Sequence, residues 1–342
     1  MTSCDLSAQD VPPGSADLRA KCPPRYTLTR DEARQVDILA RKAAADYPSA
    51  DDPRFLADVG LIAHDLPAGL RQSVNRARLD EGTHVILIRG NPVDDAALGG
   101  TPRHWQEATG EEGRVAGMLL MIEAALLGDA IGWTTQQEGR LVTDVLPVTG
   151  MENSLVSSSS HKELTWHTED AFSPYRADYV GLFCLRSLYH TPTTVSYADL
   201  SALPEDVVRV LMEPRFLFTP DDSHKMPDGT PDGSLVRAAV LDGPIDAPVL
   251  RIDRDFTRVM PGDDAAARAL AHAVAHLDGN LYDVALATGD VAFIDNRNVV
   301  HGRRPFTPRY DGRDRWLKRV NVAVDLRRTR PGRLSADVRA IG

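Results

Sequence analysis

Apolar residues recur at helical spacing through the first third of the chain. Thr29 followed by Glu32 has the form of a capping box, and Ala33, Val36, Ala40 and Ala43 then share one face up to about residue 45. Further helical stretches are predicted over 53–64, 67–79 and 113–127, the last broken at Gly128. The β-branched run 84–88 predicts one strand among them. Residues 1–26 carry no such pattern and read as an irregular leader.

Past Gly128 the pattern changes to short strand-like runs. They fall at 130–135, 141–148, 178–186, 193–197, 235–241, 248–253, 282–287, 291–294 and 316–326, with helices only near 204–212 and 263–277. Many short strands separated by Gly, Pro and Asp turns predict a sandwich or jelly roll. The expectation is one mainly β domain over 27–342, with a helical buttress at 27–128 and a jelly-roll core at 129–326. Residues 219–234 are rich in Pro, Gly and Asp with few apolar anchors. They read either as a surface loop or as an active-site lid.

Composition narrows the class. The 342 residues are 42% hydrophobic and 26% charged, ordinary for a globular enzyme. No apolar run is long enough to span a bilayer, and residues 1–17 lack the pattern of a secretory signal. Three scattered cysteines, Cys4, Cys22 and Cys184, provide neither a disulfide framework nor a thiolate metal site, so a cytoplasmic location is expected. A net charge of −10 argues against a nucleic-acid partner and mildly favours a cationic ligand. The basic patch 327–333 reads as a solvated tail.

Among ten histidines, most have no informative context. His272 and His276 share a helix face, but their Ala-rich surroundings suit a half-exposed surface, and His161, His190 and His224 fall in loops. His167-Thr168-Glu169 differs. In an extended segment alternate side chains project together, so His167 and Glu169 supply one imidazole and one carboxylate, two thirds of an iron(II) facial triad. A third ligand is offered by His301, which follows a predicted hairpin built from 282–287 and 291–294. Fourteen residues later comes Arg315, and in the strand it heads Arg315, Leu317, Arg319, Asn321 and Ala323 share one face, opposite Trp316, Val320 and Val322. Two arginines on a core-like strand need anions. These are either internal carboxylates such as Asp290 or the carboxylates of ligands held bidentately.

The H-x-E pair, the pattern G-D-x-x-x-x-D-N-x-x-x-x-H-x-R and the arginine fourteen beyond the second histidine together resemble the clavaminate synthase-like 2-oxoglutarate oxygenases. Residues 134–147 (TTQQEGRLVTDVLP), 156–163 (VSSSSHKE) and 166–175 (WHTEDAFSPY) resemble the arginine β-hydroxylases of antibiotic pathways such as viomycin and streptothricin. The resemblance runs from about 113 to 326. It implies a double-stranded β-helix core, Fe(II) held by His167, Glu169 and His301, and 2-oxoglutarate and O2 as co-substrates.

It further implies that Arg315 grips the distal carboxylate of 2-oxoglutarate with a hydroxyl from Thr194 or its neighbour Thr193. Gln136, Val156, Ser157 and Glu169 would line the amino-acid pocket, Arg319 would meet the substrate α-carboxylate, and Asp253 and Asp255 a guanidinium. By residue chemistry alone the two aspartates read as a surface charge run, with Arg251 on the same side as an internal partner. The implied substrate is a small arginine-like amino acid, free L-arginine or a derivative of it, hydroxylated at Cβ or at both Cβ and Cγ in antibiotic biosynthesis. Alternatives are hydroxylation or desaturation of a cyclised arginine (enduracididine, capreomycidine), an asparagine hydroxylase, or a jelly-roll metal protein without oxygen chemistry. The sequence carries no signal for oligomeric state.

Overall fold

The computed structural model describes residues 25–151, 160–187, 191–224 and 233–342. Helices α1 (Arg30–Asp46), α2 (Pro53–Ile62), α3 (Ala68–Arg78), α4 (Asp95–Leu98) and α5 (Glu111–Ala124) dominate the first part, and α6 (Glu205–Leu211) and α7 (Asp264–Gly279) lie among the later strands. The first strands are β1 (Arg25–Thr27), β2 (Val85–Arg89), β3 (Asp129–Trp133), β4 (Val142–Val145), β5 (Leu164–His167) and β6 (Tyr179–Arg186). Next come β7 (Thr193–Tyr197), β8 (Phe216–Phe218), β9 (Val236–Ala238), β10 (Leu241–Asp242), β11 (Val249–Leu250) and β12 (Thr257–Val259). The last are β13 (Tyr282–Val284), β14 (Val291–Asp295), β15 (Val299–Arg303), β16 (Trp316–Ala323) and β17 (Ala340–Ile341).

The capping box at α1 forms as its residues dictate. Thr29 Oγ1 accepts from the Glu32 amide at 3.3 Å, and Glu32 Oε2 accepts from the Thr29 amide at 2.9 Å. The small buried face of α1 (Val36, Ala40, Ala43, Ala44) packs on α5. Helix α5 is itself buried almost all round, between α1 and a sheet whose Trp316 and Lys318 meet Gly113 and Gly117.

The large sheet runs β1-β2-β14-β6-β16-β3-β17, with β4 also paired to β16. The smaller one runs β13-β7-β15-β5. Alternation along each strand gives the large sheet two apolar faces. Phe183, Phe293 and Val320 turn to the helices, while Leu182, Ala292 and Leu317 turn to Val195, Val284 and Val299 of the smaller sheet. Two sheets closed over one apolar layer make the jelly-roll core.

Three details depart from the sequence reading. The runs near 282–287 and 291–294 do not form a hairpin: Val284 pairs with Thr193 in the smaller sheet, and Val291 pairs with Ile88 and Phe183 in the large one. Residues 285–290 carry the chain from one sheet to the other, which adjacent apolar runs do not reveal. The predicted strand 235–241 is two strands, β9 and β10, in different small sheets. Strand β16 ends at Ala323 and is not the last; β17 follows and joins β3 in parallel.

Candidate metal centre and its pocket

Strands β15 and β5 pair antiparallel with His301 directly opposite His167, so the two imidazoles project side by side, ring centroids 4.7 Å apart. The extended run past β5 brings Glu169 to the same side, before Asp170 at φ 55° turns the chain away. Glu169 Oε2 lies 3.5 Å from His167 Nε2 and 3.3 Å from His301 Nε2. Among the described residues this is the one group whose donor atoms converge, all within 4.8 Å of one another. Donors about 2.1 Å from a single ion and at right angles to one another would be roughly 3 Å apart, so the set fits one metal ion bound on a face. His167 Nδ1 donates to the Thr165 carbonyl at 2.9 Å, which leaves the Nε2 lone pair turned to the centre.

The charges around the triad are strongly coupled. Burial pushes the Glu169 carboxyl up, but Arg319 and then the two imidazoles hold it well below the usual carboxylate range. Burial pushes His167 down, yet Glu169 outweighs it and raises the ring to about 9. For His301 burial prevails and the value falls.

Arg315, just ahead of β16, and Leu317 and Arg319 within it face the cavity, as their alternation predicts. Arg315 is 7% exposed, and no carboxylate pairs with it among the described residues; burial pushes its guanidinium down to about 10. Asp290 lies elsewhere, beside Arg89 and the Ala287 amide. Arg319 does have partners: Nη1 donates to Glu169 Oε1 at 2.6 Å and Nη2 to Gln136 Oε1 at 2.8 Å.

Of the two threonines left open beside Arg315, one faces the cavity. On β7, Thr193 pairs with Arg303 and faces the cavity, whereas Thr194 pairs with Gly302 and faces out of it. Period-two alternation permits only one of the two neighbours, and the register with β15 makes it Thr193.

Asp253 and Asp255 sit beside the triad but do not line the cavity wall. Asp253 bridges His167 through the backbone, and its Oδ1 accepts from the amides of Asp255 and Phe256, both at 2.8 Å. Asp255 Oδ2 accepts from Thr165 Oγ1 at 2.7 Å. Arg251 leaves both alone, donating to the Ala171 carbonyl and lying over Phe218. Val156 and Ser157 lie outside the described residues, as does most of the expected lid.

The start of that segment does reach the site. Asp221 and Ser223 line the cavity, and His224 is buried against Trp133 and Phe172, with Nε2 3.0 Å from Asp170 Oδ1. Ser223 Oγ accepts from Gln136 Nε2 at 2.8 Å. Composition pointed to the segment, but nothing in it distinguished these three residues from their polar neighbours.

Comparison with known proteins agrees with this geometry. Residues 196–321 match the taurine catabolism dioxygenase TauD, TfdA family. The chain is 38% identical over 340 residues to an enduracididine beta-hydroxylase of Streptomyces hygroscopicus, covering 92% of this chain and 98% of that protein. It is 35% identical over 341 residues to an L-ornithine/L-arginine 3-hydroxylase of Catenulispora acidiphila, covering 93% and 99%. The crystal structure of the non-heme iron oxygenase OrfP with Fe and alpha-ketoglutaric acid is similar at a TM-score of 0.86 and 43% identity, covering 93% of this chain and 100% of that one.

Proposed function

The chain belongs to the clavaminate synthase-like iron(II)/2-oxoglutarate oxygenases of the TauD, TfdA family, and from that membership we propose that it hydroxylates free L-arginine at Cβ. One observation carries the substrate reading. Next to the triad, Glu169 Oε1 and Arg319 form a charge pair that complements an α-amino and an α-carboxylate group, and Asp221 and Asp253 add negative charge at the same site. An amino acid with a cationic end complements all of these; a short neutral side chain brings no cation to the two aspartates, whose present hydrogen bonds come from neutral donors.

Iron(II) held by His167, Glu169 and His301 supplies the oxidative chemistry, in which O2 turns 2-oxoglutarate into succinate and CO2 and one oxygen atom enters a C–H bond. The protein positions the reactants. Arg315, with Thr193 lining the same cavity, is the partner for the distal carboxylate of 2-oxoglutarate, because a buried guanidinium facing a cavity demands an anion. Glu169 Oε1 takes the substrate ammonium, Arg319 and Gln136 its carboxylate end, and Asp253 and Asp255 the guanidinium. Holding both ends fixes a middle carbon at the metal. Asp221 and Ser223, on the cavity wall, help to exclude water over it. Sparse cysteines suit a cytoplasmic enzyme.

A cyclised arginine is the second reading, favoured by the 38% identity to an enduracididine beta-hydroxylase. Incubation with iron(II), 2-oxoglutarate, air and either L-arginine or a cyclised arginine, followed by mass analysis, tests both. Addition of one oxygen atom to arginine, with matching succinate, is the expected result. Oxygen appearing in the cyclic amino acid alone would replace the first reading by the second.

A further inference from the structure

The turn between β14 and β15 carries a residue that the metal-ligand reading leaves unused. Asn296 is wholly buried, five residues ahead of His301, at the point where the chain crosses from the large sheet to the smaller one. Its side chain grips a single peptide segment from both sides. Oδ1 accepts from the Glu169 amide at 2.7 Å, and Nδ2 donates to the Glu169 carbonyl at 3.1 Å and to the Ala177 carbonyl at 2.9 Å. The amide orientation is fixed by this pattern, since a flipped group would set its oxygen against two carbonyls and its NH2 against an N–H.

The backbone of Asn296 is held just as fully. Its amide donates to the Asp178 carbonyl at 2.9 Å, and its carbonyl accepts from Nη1 of the buried Arg176 at 2.8 Å. The flanking turn is stiff too: Asp295 accepts from the Arg297 amide and from Asn298 Nδ2, and Arg297 Nε donates to Asp178 Oδ1 at 2.6 Å. Glu169, in contrast, lies two residues past the end of β5 and in no strand of its own. The His301 strand is a sheet member on both edges, paired to β5 and β7. Of the three ligands, the carboxylate is therefore the one whose backbone is not placed by a sheet ladder, and Asn296 provides what a ladder would.

We infer that Asn296 is a positioning residue of the metal site: its side-chain amide ties the peptide of Glu169 to the turn that leads into the His301 strand, so that the carboxylate and the imidazole are set as one unit. Asn296 touches no ligand atom. Its effect is on where Oε2 stands relative to the two Nε2 atoms and where Oε1 stands relative to Arg319. Removing the amide frees the Glu169 peptide to shift, which weakens the metal and loosens the substrate end that Oε1 holds, while Arg315, at the head of β16, keeps its place.

This inference rests on the triad reading, so the test separates the two. Iron(II), and cobalt(II) as a second probe, are titrated anaerobically into the full chain, Asn296→Ala, Asn296→Ser, Glu169→Ala and Leu70→Ala. Leu70 is a buried residue of α3, in the helical cluster away from the cavity. Supporting partners of metal ligands typically change metal affinity about 10–100-fold. Asn296→Ala is expected to fall in that range, Asn296→Ser less so, and the ratio of hydroxylated amino acid to succinate is expected to drop in both. Leu70→Ala is expected to lower Tm with metal affinity and coupling unchanged. Wild-type metal binding by Glu169→Ala would remove the triad reading itself. Loss of binding in Glu169→Ala, with both Asn296 variants like the parent per folded molecule, would overturn only the role of Asn296. Failure of both Asn296 variants to fold even in the cold would make the amide part of the scaffold and overturn the inference as well.

Discussion

Arg319 Nη1 stands 2.6 Å from Glu169 Oε1, on the side of the carboxylate turned away from the two imidazoles. One carboxylate thus serves two neighbours: Oε2 faces the metal position and Oε1 a cation. A substrate ammonium that takes Oε1 frees Arg319 for the substrate carboxylate, so charge is conserved through the exchange. Arg319→Gln is expected to weaken arginine binding by about 1.5–3 kcal/mol, the range for hydrogen bonds to charged groups. Metal affinity, which depends on Oε2, is expected to change far less. Calorimetry of the amino acid and a separate metal titration read the two effects; equal losses in both would mean that Arg319 mainly holds Glu169 in place.

Arg315 poses the opposite case, a buried guanidinium with no protein anion among the described residues. Arg315→Lys keeps the positive charge and loses the planar fork that suits a carboxylate. The apparent affinity for 2-oxoglutarate is expected to fall on the order of tenfold or more, a change of about 1.4 kcal/mol or above, with a smaller effect on arginine. A variant that lost arginine binding and kept 2-oxoglutarate would reverse the assignments of Arg315 and Arg319.

Glu123 gives a pH dependence remote from the chemistry. It is wholly buried in α5, with the Asn91 side chain as a weak polar neighbour that opposes the shift, and burial raises it to about 8 from an ordinary value of 4.5. The folded state therefore binds more protons than the unfolded one between those values, and stability falls as pH rises through that window. The loss is on the order of 5 kcal/mol if nothing relaxes. Glu123→Gln stays neutral, so its Tm is expected to rise relative to the parent as pH increases from 5 to 8 and to level off above. Parallel Tm curves would show that Glu123 is ionised, or solvated, in the fold.

Much of this site was legible because its physics is local. Alternation in an extended chain joins His167 to Glu169 and Arg315 to Arg319 without any knowledge of the sheets. The pairing of His301 opposite His167 was not legible, since register between segments over a hundred residues apart is set by both sheets together. The choice between Thr193 and Thr194 fails for the same reason: alternation states that one faces in, and only the neighbouring strands decide which. Lys318 shows a subtler miss. It shares the apolar outer face of β16 with Trp316 and Val320, where a lysine looks misplaced, yet Asp144 Oδ1 accepts from its Nζ at 2.7 Å and from Trp316 Nε1 at 2.8 Å. A buried ion pair whose partner lies on β4 leaves no periodic trace in either strand.

The guanidinium end of the substrate is the sharpest remaining test, because the structure places its two expected ligands unequally. Asp253 is pinned by the amides of Asp255 and Phe256, and Asp255 takes the Thr165 hydroxyl. Asparagine at 253 retains an oxygen for both amides, so Asp253→Asn removes charge while sparing the turn. Both Asp253→Asn and Asp255→Asn are expected to weaken L-arginine by about 1.5–3 kcal/mol, as for other hydrogen bonds to a charged group. Succinate formation is then expected to outrun hydroxylation, because a loosely held Cβ no longer sits at the metal. Citrulline, equal in length without the charge, is expected to be a poor substrate for the parent. The measurements are calorimetric titration of each variant and competition by citrulline. If arginine bound both variants as it binds the parent, and citrulline matched it, the two aspartates would serve only their loop, and the substrate would have to be sought among amino acids without a guanidinium.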